Sequence, residues 1–326
     1  SSGTRQQANA MSAFWGGQQR FYNQVLTSLQ MPTMLKAIDK ELEAGNAVVV
    51  QLVGTNQAQQ DRALANREED QSLEELDLSP KRLIVELVER SFPTKDWVDT
   101  LDDDGNEVRI PLTDSAGNPV QNPQAVRKKE ELLNRLAGLS MPEACLDILI
   151  EHLGTDNVAE ITGRDRRLVW QINPDTGQRE KVIQKRNDNT RASEIADFND
   201  DRRRVLIFSG KGDTGANYHP DLRIKNQRKR IHFVAQAGWI ANKAIQAMGR
   251  THRSNQAQTP HYILMTTSLK GHKRFISSIA RRVSQLGALT KGQRQAGGQG
   301  LFSEKDNLEG PLAGDAMFAF YQNLVH

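Results

Sequence analysis

The sequence is poor in several features that define functional classes. One cysteine, Cys145, in 326 residues leaves no disulfide framework and no multi-cysteine zinc site. Its neighbours Ala144 and Leu146 read it as a buried helical thiol rather than a nucleophile. No apolar run approaches the roughly 20 residues a bilayer span needs, so no membrane partner is expected. The opening "SSGTRQQANA" lacks both the apolar core of a secretion signal and a starting Met. The resulting expectation is an intracellular protein, or a piece of a longer one. His219 and His232 have no His or Cys at ligand spacing, so no metal site is expected. Aromatic residues are few, and Trp15, Trp97, Trp170 and Trp239 are scattered as packing residues are, although Trp239 could also stand at a helix start near a cleft. No tandem repeat of fixed period occurs.

What the chain does have is charge, unevenly placed. The net charge of +3 hides a segment, residues 201–300, with 19 Lys and Arg against 3 Asp and Glu. That segment carries +16, whereas residues 1–200 carry −10. Such basic density favours polyanions, either nucleic acid or nucleotide phosphates. Coverage of the basic segment by the acidic first half is the alternative.

The order of elements is that of an α/β fold. Two helices are expected to either side of Pro32, the second closed by Gly45. "AVVVQLV" (47–53) is a continuous β-branched run, as in a strand buried on both faces of a parallel sheet. A polar turn and a helix follow. Ser79 and Pro80 start the helix "SPKRLIVELVERSFP". Turn signals over 94–124 predict a hairpin-like insertion, followed by the amphipathic helices "AVRKKEELLNRLAGL" and "MPEACLDILIEHLG". "RRLVWQI" and "EKVIQKR" flank "NPDTGQ" as a β-hairpin. Strands are expected again at 203–210, 230–236 and 261–267, then a long basic helix from Ser268, a Gly-rich tail and a last short helix.

"AIQAMGRTHRSNQ" (244–256) concentrates long polar side chains just after a strand. If 243–254 is one helix, Gln246, Arg250 and Arg253 fall within a sector of roughly 60°. Two guanidinium forks would then converge, a geometry suited to phosphate oxygens. Gly249 is costly in a helix and would permit close approach of another surface. The second polar loop, "SGKGDTGANYHPD" (209–221), could bind phosphate through exposed N–H groups. It is not a P-loop, because Lys211 is followed by Gly212 and Asp213 rather than by Ser or Thr. Nor does the chain hold a convincing magnesium-binding acidic pair. The residues thus describe a donor of arginines to a nucleotide held elsewhere.

"QAMGRTHRSNQ" resembles motif VI of superfamily 2 helicases, and the run "IKNQRKRIHFVAQAGWIANKAIQAMGRTHRSNQAQTPHYIL" resembles the C-terminal helicase domain of the Strawberry notch family. "GNAVVVQLVGT" and "EHLGTDNVAEITGRDRRLV" follow the same family order, and the likeness extends from about residue 12 to 295. The resemblance implies a second RecA-like lobe over 31–295, with an insertion over about 66–165, a helical lead-in at 1–30 and a tail at 296–326. It implies that Gln246, Arg250 and Arg253 face ATP and Mg²⁺ held mainly by a first lobe, supplied in cis or in trans, with Gly249 beside the nucleotide. Gly212, Asp213, Thr214 and Gly215 occupy the motif V position. Thr55 in the motif IV position, Tyr218 and His219 would lie on the DNA or RNA track. Walker A and Walker B sequences do not occur in this chain, so it alone is expected to be inactive as an ATP hydrolase. A non-catalytic basic binding module for nucleic acid or a partner protein is the other reading. A cytoplasmic, nucleoid-associated place would follow for a prokaryotic or mobile-element protein, and a nuclear one for a eukaryotic protein.

Overall fold

A computed structural model describes residues 2–67, 71–102, 105–210, 215–238 and 241–270, with His272, Lys273, Ile276, Ser277, Ile279 and Ala280; side chains are described from Trp15 onward, Ala241 excepted. Lys211, Gly212, Asp213, Thr214, Trp239, most of the basic helix, the Gly-rich tail and the last helix lie outside the described residues.

The chain forms two compact units, one of residues 1–28 and 56–145, the other of residues 29–55 and 146–326. These boundaries differ from the expected insertion over about 66–165. The first unit holds α2 (Gln57–Ala65), α3 (Lys81–Ser91), the hairpin β2 (Trp97–Leu101) and β3 (Glu107–Pro111), and α4 (Pro123–Ala137). Asn122 caps α4 by accepting from the Ala125 N–H at 2.9 Å, just before Pro123. The helix expected from Ser79 begins at Lys81, with Pro80 as its N-cap.

α1 (Ser2–Glu43) is one helix with Pro32 inside it, not two helices. A proline there forfeits one backbone bond. Met31, Met34 and Ile38 are fully buried around it, and that packing keeps the helix continuous.

The second unit is built on five parallel strands: β1 (Ala47–Leu52), β4 (Val158–Ile161), β7 (Val205–Ser209), β8 (Arg230–Val234) and β9 (His261–Leu264), in the order β4-β7-β1-β8-β9. Every residue of β1, β7 and β8 is buried, as mostly apolar strands inside a parallel sheet are, and the polar Gln51, Arg230 and His232 are buried with them. The fold is α/β and RecA-like: a parallel sheet flanked by helices. On one face Ala47, Val49, Ala159, Ile161, Leu206 and Phe208 pack with Phe198 of α6 (Asp188–Asn199) and with Tyr218. Val234 belongs to a second cluster with Ala244 and Met248 of α7 (Ala241–Met248) and with Ile276 and Ile279.

β4 and α6 were not expected from the sequence. Glu160 interrupts the apolar pattern of β4, yet it is wholly buried. Arg164 binds both its carboxylate oxygens at 3.0 and 3.1 Å, and Arg167 reaches one at 3.0 Å. Arg186 pairs with Glu194 of α6 at 2.8 and 2.9 Å and donates to the Glu160 carbonyl at 2.6 Å. Burial alone would push the Glu160 carboxyl up; Arg164, Arg186 and Arg167 outweigh it and hold it at about 2. This ionic cluster clamps the base of the hairpin formed by β5 (Arg166–Ile172) and β6 (Arg179–Lys185), which runs between β4 and α6.

Candidate nucleotide and nucleic-acid interface

In a parallel open sheet, ligands gather beyond the carboxyl ends of the strands. Here those ends carry the loops after β1, β7 and β8. The Gln236 side chain, just past β8, accepts from the N–H groups of Val53 at 2.9 Å and Gly54 at 3.0 Å. One buried amide therefore fixes the turn that leads to half-buried Thr55.

The helix expected over 243–254 stops at Met248. Gly249 and Arg250 form a turn, and a β-carbon on Gly249 would meet the helix's own Gln246 carbonyl at 3.3 Å rather than another surface. The helical sector that would align Gln246, Arg250 and Arg253 is therefore absent. Gln246 lies exposed on α7, and the two arginines leave the helix.

The arginines instead join the loop after β7. Arg250 Nη1 donates to the Ala216 carbonyl at 2.6 Å, and Arg253 Nε to the Asn217 side chain at 3.2 Å. Main-chain bonds run alongside: Tyr218 N–H to the Arg250 carbonyl at 2.8 Å, Leu222 N–H to Asn255 at 3.0 Å, and Ala257 N–H to Pro220 at 2.8 Å. Residues 216–222 and 250–257 thus form a single block. Gly215, exposed at φ +84°, opens that loop with open space where a side chain would stand.

Asp221 staples the block. Its carboxylate accepts from Arg223 Nε at 2.8 Å and Nη2 at 2.6 Å, and from the Asn255 amide at 3.0 Å. Arg223 holds this carboxyl far below the ordinary range. His219 Nε2 stands 3.2 Å from the same group, and burial lowers the imidazole below its usual value.

A second anchor lies beneath. Thr251 is fully buried and donates to the Met248 carbonyl at 3.0 Å, so its oxygen receives His232 Nδ1–H at 2.8 Å. Tyr262 Oη donates to the same carbonyl at 2.9 Å. Arg230, also fully buried, donates to the Tyr218 carbonyl at 2.9 Å and to Asn226. Burial pushes its guanidinium down to about 9, still above neutrality.

These contacts revise two expectations. Tyr218, placed on the nucleic-acid track, has its ring in the core, 5.2 Å from that of Phe208. His219 is likewise buried. Their side chains shape the loop from below. The stapling pair Asp221 and Asn255 was not singled out from the sequence. Its signals are local: an Asx turn in which the Arg223 N–H returns to Asp221, and a positive φ of 61° at Asn255. Among the described residues there is no His, Cys, Asp and Glu grouping able to hold a metal, and no helix long and apolar enough to cross a membrane.

Comparison with known proteins points the same way. Residues 144–326 match the family described as the C-terminal domain on Strawberry notch homologues. Rat protein strawberry notch homolog 1 is 28% identical over 90% of this chain. The Drosophila melanogaster protein strawberry notch is 40% identical over 53% of it, and Arabidopsis thaliana protein FORGETTER 1 is 34% identical over 62%. The chain spans 28%, 11% and 16% of those three proteins, so it corresponds to a part of each.

Proposed function

Because this chain belongs to the Strawberry notch family, through its C-terminal helicase-like domain, we propose that it is the second lobe of an ATP-dependent nucleic-acid translocase. In this reading the lobe supplies arginines to a nucleotide whose main binding site is on a first lobe. The observation that carries it is the block joining residues 216–222 to 250–257 beyond the sheet's carboxyl ends.

The donor set suits a triphosphate. Arg253 is exposed and is held through Nε by an uncharged amide. Its Nη groups make no hydrogen bond among the described residues, so the end of the fork is available to phosphate oxygens. Arg250 is half-buried and fixed by a main-chain carbonyl, which sets its position before any ligand arrives. ATP with Mg²⁺ would supply the phosphoryl group; these residues would orient and neutralise it. In sequence Gly249 adjoins Arg250, and Gly212–Gly215 precede the loop that Arg250 binds; Thr55 lies in the turn after β1, where in this reading a DNA or RNA backbone would pass.

The test uses a protein that contains both lobes. Arg250→Ala should lower nucleic-acid-stimulated ATP hydrolysis by about 10³-fold or more, the range of an arginine finger. Arg250→Lys, which keeps the charge and loses the fork, should fall nearly as far. Thermal melting of the Lys variant should match the parent. Parental turnover in either variant rejects the arginine role.

A further inference from the structure

A cavity of about 470 Å³ opens beside the ionic clamp of Glu160 and Glu194. Asp156 borders it from the turn before β4, Arg203 from the segment before β7, Arg167 and Lys185 from the β5–β6 hairpin, and Ser193 from α6. It therefore lies towards the amino ends of β4 and β7, whereas the arginine block lies beyond the carboxyl ends of the strands. The donors around it are not used up. Arg167 is only 3% exposed; its Nε donates to Gln184 at 2.6 Å and its Nη1 to Glu160 at 3.0 Å. Its Nη2 has only Glu194 Oε1 at 3.8 Å, beyond hydrogen-bond reach. Arg203 spends Nε on Asp197 and Nη1 on the Thr155 and Val158 carbonyls, and its Nη2 donates to nothing among the described residues. Lys185 Nζ and the Ser193 hydroxyl, both on exposed residues, likewise have no partner among the described residues. Glu194, the buried carboxylate of the wall, is already occupied: it accepts from both Arg186 Nη groups at 2.9 and 2.8 Å and from the Glu160 N–H at 2.7 Å. Burial lowers the Arg167 guanidinium below its ordinary value despite Glu160, as for a cation whose partners compensate it incompletely.

We propose that this cavity binds a small phosphorylated metabolite of the sugar-phosphate class, with its phosphate on Arg167, Arg203 and Lys185 and its hydroxyl groups on Asp156 and Ser193. The inference is independent of the translocase reading. Three cations from separate elements suit a group with three terminal oxygens and nearly two charges, which a phosphate monoester has and a carboxylate does not. Arg167 and Arg203 are held by their other bonds, so their unspent nitrogens are set in place before any ligand arrives. Asp156 has no partner among the described residues, and as an acceptor it suits sugar hydroxyls rather than phosphate. The volume falls within the range of small-molecule sites, roughly 300–1,000 Å³. No aromatic or aliphatic side chain lines the cavity, which leaves nothing for a nucleobase to stack on. The lining thus favours a phosphorylated sugar over a nucleotide.

The experiment titrates ribose 5-phosphate into the full chain by isothermal calorimetry. Binding should saturate at one molecule per chain with a Kd below about 1 mM, the upper end of ordinary metabolite affinities. Ribose without its phosphate should not bind, and inorganic phosphate should bind more weakly than the ester. Lys185→Gln should weaken ribose 5-phosphate about tenfold or more, the effect of losing one charge-assisted hydrogen bond. Lys185→Arg should keep most of the affinity, and Lys128→Gln, an exposed cation on α4, should keep all of it. Position 185 is exposed, so the melting temperatures of its variants should match the parent. Absence of saturable binding by the parent overturns the proposal, as does parental affinity in Lys185→Gln. Inorganic phosphate binding as tightly as ribose 5-phosphate overturns the assignment of a sugar. Loss of affinity in Lys128→Gln equal to that in Lys185→Gln shows diffuse attraction of anions rather than a site, and also overturns it. The ATPase test of Arg250 is unaffected by any of these results.

Discussion

The main-chain N–H of Tyr218 donates to the carbonyl of Arg250 across 2.8 Å, and Arg250 returns a side-chain bond to Ala216 two residues earlier. The two sequence motifs at the carboxyl edge of the sheet are thus one mechanical object. Displacement of either arginine must carry the loop after β7 with it.

Asn255 tests that coupling. It sits at φ 61° and ties its amide to Asp221. Asn255→Gly keeps the backbone and loses the bond; Asn255→Ala loses both. Urea denaturation should find the Ala variant less stable than the parent by about 1–3 kcal/mol, with the Gly variant between them. The Asp221 carboxyl is held below its ordinary range, chiefly by Arg223. Its contribution is therefore present above the unfolded value of about 3.9 and is lost only as pH falls through the lower folded value. Equal stability of the Gly and Ala variants would show that the left-handed conformation at 255 carries no strain.

Glu160 predicts a larger effect. It is wholly buried and faces three guanidinium groups. Glu160→Ala leaves those charges without their central partner, a defect that costs about 3–5 kcal/mol. Chemical denaturation of the variant should show this loss, and hydrogen exchange should place it in β4, the β5–β6 base and the start of α6. A loss under 1 kcal/mol would mean that Glu194, with Asp147, which accepts from Arg164 Nη1 at 2.5 Å, suffices.

The same residue explains what could be read from the sequence and what could not. β1 and β7 were legible because their runs are almost wholly apolar, and β8 because Ile231, Phe233 and Val234 keep the run recognisable around the buried Arg230 and His232. β4 was hidden because it is only four residues long and carries Glu160, and nothing in the local pattern shows that Arg164, Arg167 and the distant Arg186 fold back to neutralise that carboxylate. α6 was missed because its apolar contacts reduce to a few residues such as Ile195 and Phe198. Arg250 and Arg253 were legible as chemistry, but their geometry was not: the helix ends at Met248, and tertiary bonds to 216 and 217 set their direction. Tyr218 and His219 look like surface polar residues in sequence, and only packing against Phe208 and pairing with Asp221 bury them.

His232 gives the pH dependence a sign. Burial lowers its imidazole to about 3, against about 6.5 in an unfolded chain. The folded form is neutral, so the unfolded chain binds the extra proton between those values. Stability is fully present above pH 6.5 and falls as pH drops towards 3, by up to about 1.4 kcal/mol per unit. Urea midpoints at pH 7, 6 and 5 should show this slope. His232→Gln, which can still donate to Thr251, should lose most of it. A slope unchanged in the variant would assign it to other groups.

Gly238 carries the last prediction, because it governs the approach of two loops rather than a bond. Its φ is +70°, and a β-carbon there would lie 3.1 Å from Val53 Cγ2. Gly238→Ala therefore meets two penalties. The left-handed backbone costs about 1–2 kcal/mol for a residue with a side chain, and the contact forces Val53 aside. Val53 is half-exposed and can move, but its N–H is held by Gln236 at 2.9 Å, so movement strains that bond. Adding Val53→Ala should relieve the contact and restore only the part of the lost stability that exceeds the backbone cost. Denaturation of the single and double variants separates the terms. Complete recovery in the double variant would show that the steric contact alone requires glycine at 238.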